Sequence, residues 1–197
     1  MTKRPKPQNL KMVLLVLSFT CCACSSLRPG DLLFHVVEHD NHITEVTPGM
    51  IDHMAIYLGG DSVLEAVPRS GVVVNPLSVV LEREPGSYLR GTVRGADRRR
   101  SLQQALGYRG CPYDSLYLPE GEAIYCSELV QLSYIDKNGT PLFQPIPMSF
   151  HDADGHITPY WQQFYARQGL DVPEGRPGTN PSEMALRPQV IIKKLKY

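Results

Sequence analysis

HMAIYLGGDSVLEA, residues 53–66, reads as two short strands around a tight turn. His53-Met54-Ala55-Ile56-Tyr57-Leu58 is rich in β-formers, Gly59-Gly60-Asp61 stops it, and Ser62-Val63-Leu64-Glu65-Ala66 runs back. In an antiparallel hairpin of this kind His53 and Glu65 fall side by side on one face, where a carboxylate can orient an imidazole and stabilise its cation. The hairpin therefore decides both the sheet and the first pair of candidate functional residues.

Upstream, Leu27-Arg28-Pro29-Gly30-Asp31 forms a turn and Leu32–Val37 a largely buried strand. Downstream, Gly71–Val74 and Tyr88–Arg94 continue the run of strands, and a helix is predicted over Arg98–Leu106 with Gly107 as its stop. A second helix is predicted over Cys126–Ile135, with Cys126, Leu129, Val130 and Tyr134 on one face and Asn138-Gly139 ending it. A third helix follows at Pro159–Gln168. Val172–Pro188 is Pro- and Gly-rich and reads as an ordered loop or arm, after which Gln189–Leu195 returns as an edge strand guarded by lysines. Strands first and helices second predict an α+β domain, an antiparallel β-sheet or half-barrel packed against a few helices.

Cys126 stands in the first turn of its helix, where the partial positive charge of the N-terminus favours a thiolate. His53, at a strand end, has the near-neutral pKa of a general base. On the residues alone the alternatives stay open: a cysteine that simply packs, a structural histidine and a rim carboxylate. Cys111 is the other cysteine in the body of the chain, and an oxidising compartment would allow it to pair with Cys126. His35, His39, His42 and His53 nominally supply zinc ligands, but their spacing fits no strict motif, so hydrogen-bonded histidines and no metal are expected. Asp114 is expected as a turn residue and Glu128 as an early-helix charge.

Four motifs occur in one order: Gly30-Asp31-Leu32-Leu33-Phe34, His53-Met54-Ala55-Ile56-Tyr57, Pro112-Tyr113-Asp114 and Tyr125-Cys126-Ser127-Glu128-Leu129-Val130. Together they resemble the YiiX-like, circularly permuted branch of the NlpC-type papain-like cysteine hydrolases, over about residues 28 to 150. In that branch the histidine strands precede the cysteine helix. The resemblance implies Cys126 as nucleophile, His53 as general base, Glu65 as the residue that orients it, and Tyr113 as an oxyanion donor beside the Cys126 N–H. It implies a thioacyl-enzyme formed on an amide, with a cell-wall peptide as substrate and no cofactor. A lipid-directed acyltransferase or esterase on the same scaffold is the alternative. A silent binding module that holds its ligand near Tyr160 and Trp161 is another, opposed by the intact Cys126, His53 and Glu65 set. Ile146–Phe150 and Pro177–Pro181 are expected to frame the cleft entrance.

The N-terminus sets the expected location. Lys3, Arg4, Lys6 and Lys11 precede an apolar stretch from Met12 to Ala23, the order of a secretory signal. Ala23-Cys24-Ser25-Ser26 resembles a bacterial lipobox, although Cys21 stands where leucine is usual, and simple cleavage with release is the alternative. Residues 1–23 are thus expected to be removed, with Cys24 lipidated, 24–27 a short tether and 28–197 one hydrolase domain with a Pro/Gly-rich C-terminal extension. The protein is expected in the periplasm or on the outer membrane or cell surface, in contact with the membrane through that anchor. The 197 residues leave room for one such domain, and 42% hydrophobic content supplies its core. Lys plus Arg equals Asp plus Glu at 20 each, so no overall field draws nucleic acid, and Arg98-Arg99-Arg100 reads as a solvated helix start.

Overall fold

A computed structural model of the chain describes residues 27–37, 50–83, 86–152 and 154–195. Six strands form one antiparallel sheet: β1 (Asp31–Val37), β2 (Ile51–Gly59), β3 (Ser62–Val67), β4 (Gly71–Asn75), β5 (Gly86–Val93) and β8 (Val190–Lys194), in the order β4-β3-β2-β1-β5-β8. Around it lie α1 (Leu77–Glu82), α2 (Arg98–Gly107), α3 (Cys126–Ser133), α4 (Pro159–Ala166) and α5 (Pro181–Ala185), with a two-stranded ribbon of β6 (Ile146–Pro147) and β7 (Pro177–Gly178). This is the expected α+β arrangement.

β1 is apolar at nearly every position because it is central and both of its faces are covered. Leu32 and Phe34 join Met54, Ile56 and Leu64 against Ala105 of α2, Leu129 and Val130 of α3, and Met184 of α5. Leu33 faces the other way with Ala55, Tyr57 and Val63, under Val80 of α1. Each of these large side chains contributes roughly 1.5–3 kcal/mol by leaving water. The turn before β1 is held by Asp31, 1% exposed, which accepts from Thr92 Oγ1 at 3.0 Å, Arg98 Nη2 at 2.8 Å and the Arg28 N–H at 2.9 Å. Arg98 thus anchors the sheet to α2 rather than forming part of a solvated run.

Several elements differ from the sequence reading. α1 was not expected; its six residues include two valines and are too short to show a helical period, so burial of Val80 is what holds it. α5 interrupts the expected loop, with Asn180 capping the Glu183 N–H at 2.7 Å and Pro181 at the first helical position. α3 ends two residues before its expected limit. Tyr134 turns to extended geometry (φ −89°, ψ 115°), so that its hydroxyl donates to the Gly30 carbonyl at 2.9 Å and the Ile135 N–H reaches Ser101 Oγ at 3.2 Å. The C-terminal segment is structural: β8 pairs with β5 along its length and forms the edge of the sheet.

Candidate active site

β2 and β3 carry the first two members. Glu65 pairs with Val73 across β4, and alternation puts Glu65, Asn75 and His53 on one face of the sheet. Glu65 is fully buried and saturated: it accepts from His53 Nε2 at 2.8 Å, from Asn75 Nδ2 at 2.8 Å and from Arg83 Nη1 at 3.0 Å, while Arg83 Nη2 bonds its other oxygen. The guanidinium therefore grips both carboxylate oxygens. Burial alone would push the Glu65 carboxyl up, but the His53, Arg83 and Asn75 bonds and the His53 charge outweigh it and hold the group down at about 2.

His53, its Nε2 bonded to Glu65, also interacts with the Cys126 side chain, through hydrogen bonding and charge. Burial lowers its basicity; the bonds to Cys126 and Glu65 and their negative charge more than reverse this, and the ring is pushed up to about 10. The buried Glu65 carboxylate thus favours the imidazolium form of the ring. The ring keeps 21% of its surface exposed, so solvent reaches it.

Cys126 is the first residue of α3, 6% exposed. Tyr125 is the N-cap, in extended geometry and without a side-chain cap bond. Glu128, three residues into the turn, reaches back to accept the Tyr125 N–H, as in a capping box; burial is the main reason it is pushed up to about 7. Tyr125 is fixed from the far side as well, its hydroxyl accepting the Thr179 N–H at 3.0 Å, while Thr179 Oγ1 donates to Ser127 Oγ at 3.0 Å. Both cysteines of the body, Cys111 and Cys126, are free thiols.

Tyr113 reaches the site on the loop between α2 and α3. That loop is stitched to β4 by Val72 N–H to the Cys111 carbonyl at 2.9 Å and Gly110 N–H to the Val72 carbonyl at 2.8 Å. Gly71 makes this approach possible: its φ is +71° and a Cβ there would lie 2.1 Å from the Cys111 oxygen. Asp114 accepts the Leu116 and Leu118 N–H groups at 2.8 and 2.7 Å and so shapes the turn. The Tyr113 hydroxyl is held strongly protonated by burial, by the Cys126 charge beside it and by its hydrogen bond to Tyr117. Tyr117 is pushed up to about 12 for the first two of these reasons. It also sits in the left-handed region (φ 51°), a strained position for a tyrosine.

Two clefts meet at this point. Cys126 opens into one walled by Tyr117, Tyr125, Ile146, Met148, Phe150 and Trp161, with Asp52 as the charged residue among its described lining. Ile146–Phe150 and the Thr179–Pro181 stretch thus flank the cysteine, Trp161 holds Phe150 and Tyr117 edge-on at 5.2 and 5.9 Å, and Tyr160 packs on Trp161 at 4.9 Å. His53 opens into the other, with His35, Ser70, Asn75 and Arg83. Asp52 and Tyr113 line both.

Of the expected site residues, Cys126, His53, Glu65 and Tyr113 converge. Of the histidines once considered together, His35 bonds Asp52 through Nδ1 at 2.6 Å and His53 bonds Glu65. His39, His42 and Cys24 lie outside the described residues. Sequence reasoning missed Arg83, Asn75, Asp52 and Tyr117. Arg83 follows an unrecognised helix; Asn75 had a readable signal, being two residues past Val73 in a strand paired to Glu65.

Residues 26–192 match the model of a family described as permuted papain-like amidase enzymes of the YaeF/YiiX, C92 type. Among solved structures, the chain is similar to one described as the metalloprotein yiiX from Escherichia coli O157:H7, with a TM-score of 0.69 and 22% identity over 86% of this chain and 98% of that one. At that identity the likeness concerns the fold. Comparison with curated proteins gave no match.

Proposed function

The chain belongs to the permuted papain-like amidase family of cysteine hydrolases, and from that membership we propose that it cleaves an amide through a thioacyl-enzyme on Cys126. The observation that carries the proposal is the bonding of His53 to Cys126 on one side and to buried Glu65 on the other. The Cys126 sulfur, as thiolate, attacks the carbonyl carbon. The oxyanion that forms is met by the Cys126 N–H and the Tyr113 hydroxyl, the latter held in its donor form. As the C–N bond breaks, His53 gives its proton to the nitrogen and the amine departs. His53 then takes a proton from water, which attacks the thioester, releasing the carboxylic acid and restoring the thiolate–imidazolium pair. Glu65 keeps the ring oriented and cationic until the proton is needed.

Sulfur, imidazole and carboxylate suffice for these steps. The E. coli neighbour is described as a metalloprotein. In this chain, among the described residues, no three His, Cys, Asp or Glu side chains gather as ligands.

Export and a lipid tether at Cys24 make a cell-wall peptide one substrate to test, on grounds of location. The aromatic and aliphatic wall beside Cys126 supports a second reading, an apolar acyl group, hydrolysed or transferred. Intact-mass measurement after mixing with an amide of either kind tests the mechanism. A hydroxylamine-labile acyl adduct is expected on the wild type and none on Cys126→Ala; turnover retained by Cys126→Ala would contradict it.

A further inference from the structure

Tyr117 is held in place at a cost. Its backbone sits at φ +51°, a region that glycine and asparagine occupy readily and a tyrosine does not. Asp114 grips the chain on both sides of it, accepting the Leu116 N–H at 2.8 Å and the Leu118 N–H at 2.7 Å, while the Tyr165 hydroxyl donates to the Leu116 carbonyl at 2.8 Å. The ring is fixed as well, meeting Tyr125 at 5.4 Å and Trp161 edge-on at 5.9 Å between centroids. Strain of this kind persists only where the surroundings over-determine it, and such positions gather at functional sites.

What this pose delivers is a hydroxyl. Tyr117 and Tyr113 line the cleft of Cys126 together, and their phenol groups interact there by hydrogen bonding, with the Cys126 charge acting on both. A phenol donates through its proton and accepts through its oxygen. When Tyr113 turns its proton to an oxyanion, its own oxygen is left to accept, and Tyr117 is the neighbour able to donate to it. A donor that itself receives a hydrogen bond is polarised and gives a stronger one. The ring's contacts with Tyr125 and Trp161 would be met equally by phenylalanine, so packing does not account for the hydroxyl.

We infer that Tyr117 is a positioning residue for oxyanion stabilisation: its hydroxyl donates to that of Tyr113, aims the Tyr113 proton at the tetrahedral intermediate and strengthens that bond. The inference rests on the proposed thioacyl mechanism, with Tyr113 as oxyanion donor, and Tyr117 acts through Tyr113 rather than on the reacting atoms. As the Cys126 sulfur bonds the carbonyl carbon, the C=O electron pair moves onto oxygen, where Tyr113 and the Cys126 N–H meet it. Neither tyrosine loses its proton. The pair returns when the intermediate collapses and the leaving group departs.

Acylation and alkylation of Cys126 separate this role from a structural one. p-Nitrophenyl hexanoate acylates a thiolate through a tetrahedral intermediate and releases p-nitrophenolate, whereas iodoacetamide alkylates it by direct displacement of iodide, with no oxyanion. Both rates are measured on the full chain and on Tyr117→Phe, Tyr113→Phe and the double variant, with Cys126→Ala as the blank. Tyr117→Phe should acylate about three- to tenfold more slowly than wild type, the worth of one hydrogen bond, and alkylate within about 1.5-fold of it. Tyr113→Phe should acylate about a hundredfold more slowly. The double variant should stay within about 1.5-fold of Tyr113→Phe, because the outer hydroxyl has nothing left to act through. Unchanged acylation in Tyr117→Phe, equal slowing of its acylation and alkylation, or a double variant slowed by the full product of the two single losses would each overturn the inference. Failure of the mechanism beneath it reads out differently, as wild type acylated no faster than Cys126→Ala or Tyr113→Phe acylated at the wild-type rate.

Discussion

Glu65 is the residue on which the site's electrostatics turn. Its folded value of about 2 lies below the 4.5 of an unperturbed glutamate, so its stabilisation is present in full above 4.5 and is lost as the pH falls from there through about 2. His53 works in the opposite sense. Its folded value of about 10 exceeds 6.5, so its contribution is complete below 6.5 and disappears as the pH rises through about 10. Denaturant unfolding at a series of pH values should therefore show Glu65→Gln losing much of the wild-type slope between pH 4.5 and 2; an unchanged slope would mean that Glu65 is not held ionised. NMR titration of the His53 ring in the same variant should give a pKa lower by about 1–3 units, since the buried carboxylate bonded to the ring is gone. Arg83→Ala removes a bidentate partner from a fully buried carboxylate and is expected to cost about 1.5–3 kcal/mol, with Arg83→Lys recovering part of it. A loss of stability below about 0.5 kcal/mol would show the clamp to be idle.

Elements, more than single side chains, brought these groups together. The β2–β3 hairpin was legible because strand alternation and a Gly-Gly-Asp turn appear directly in the residues, and with it the His53–Glu65 pair. The α3 helix was legible from the periodic Cys126, Leu129, Val130 and Tyr134, although its end was set by the distant bonds of Tyr134 and Ile135 to Gly30 and Ser101. α1 was not legible: six residues carry no period, and the Arg83 that follows it gains meaning only when the chain turns back over β3. The cleft beside Cys126 was legible in part, through Ile146–Phe150 and Pro177–Pro181, whereas the one beside His53 was not, because its walls come from several separated segments. The loop bearing Tyr113 makes an element-level test. Gly71→Ala must place a Cβ in the Cys111 carbonyl at positive φ, whereas Gly60→Ala, also at positive φ (59°), meets nothing within 4 Å. Gly60→Ala should cost only the backbone penalty of about 1–2 kcal/mol. Gly71→Ala should cost more and slow substrate turnover as the Tyr113 loop shifts; equal stabilities would show that the close approach is unimportant.

The whole molecule joins a compact catalytic domain to an N-terminal segment with the features of an export signal. If Cys24 carries lipid, metabolic labelling with a radioactive fatty acid should mark the full-length protein and leave Cys24→Ala unmarked and released from membranes. Equal labelling of both would place the lipid elsewhere, and none on either would remove the tether. The fold's main achievement is to bring a sulfur and an imidazole from distant stretches of the polymer into one hydrogen bond, and reactivity toward iodoacetamide measures this most directly. At pH 6, where an ordinary thiol is almost wholly protonated, Cys126 should alkylate readily in the wild type and at least about tenfold more slowly in His53→Ala. Equal rates in the two proteins would contradict the pairing on which the proposed chemistry depends.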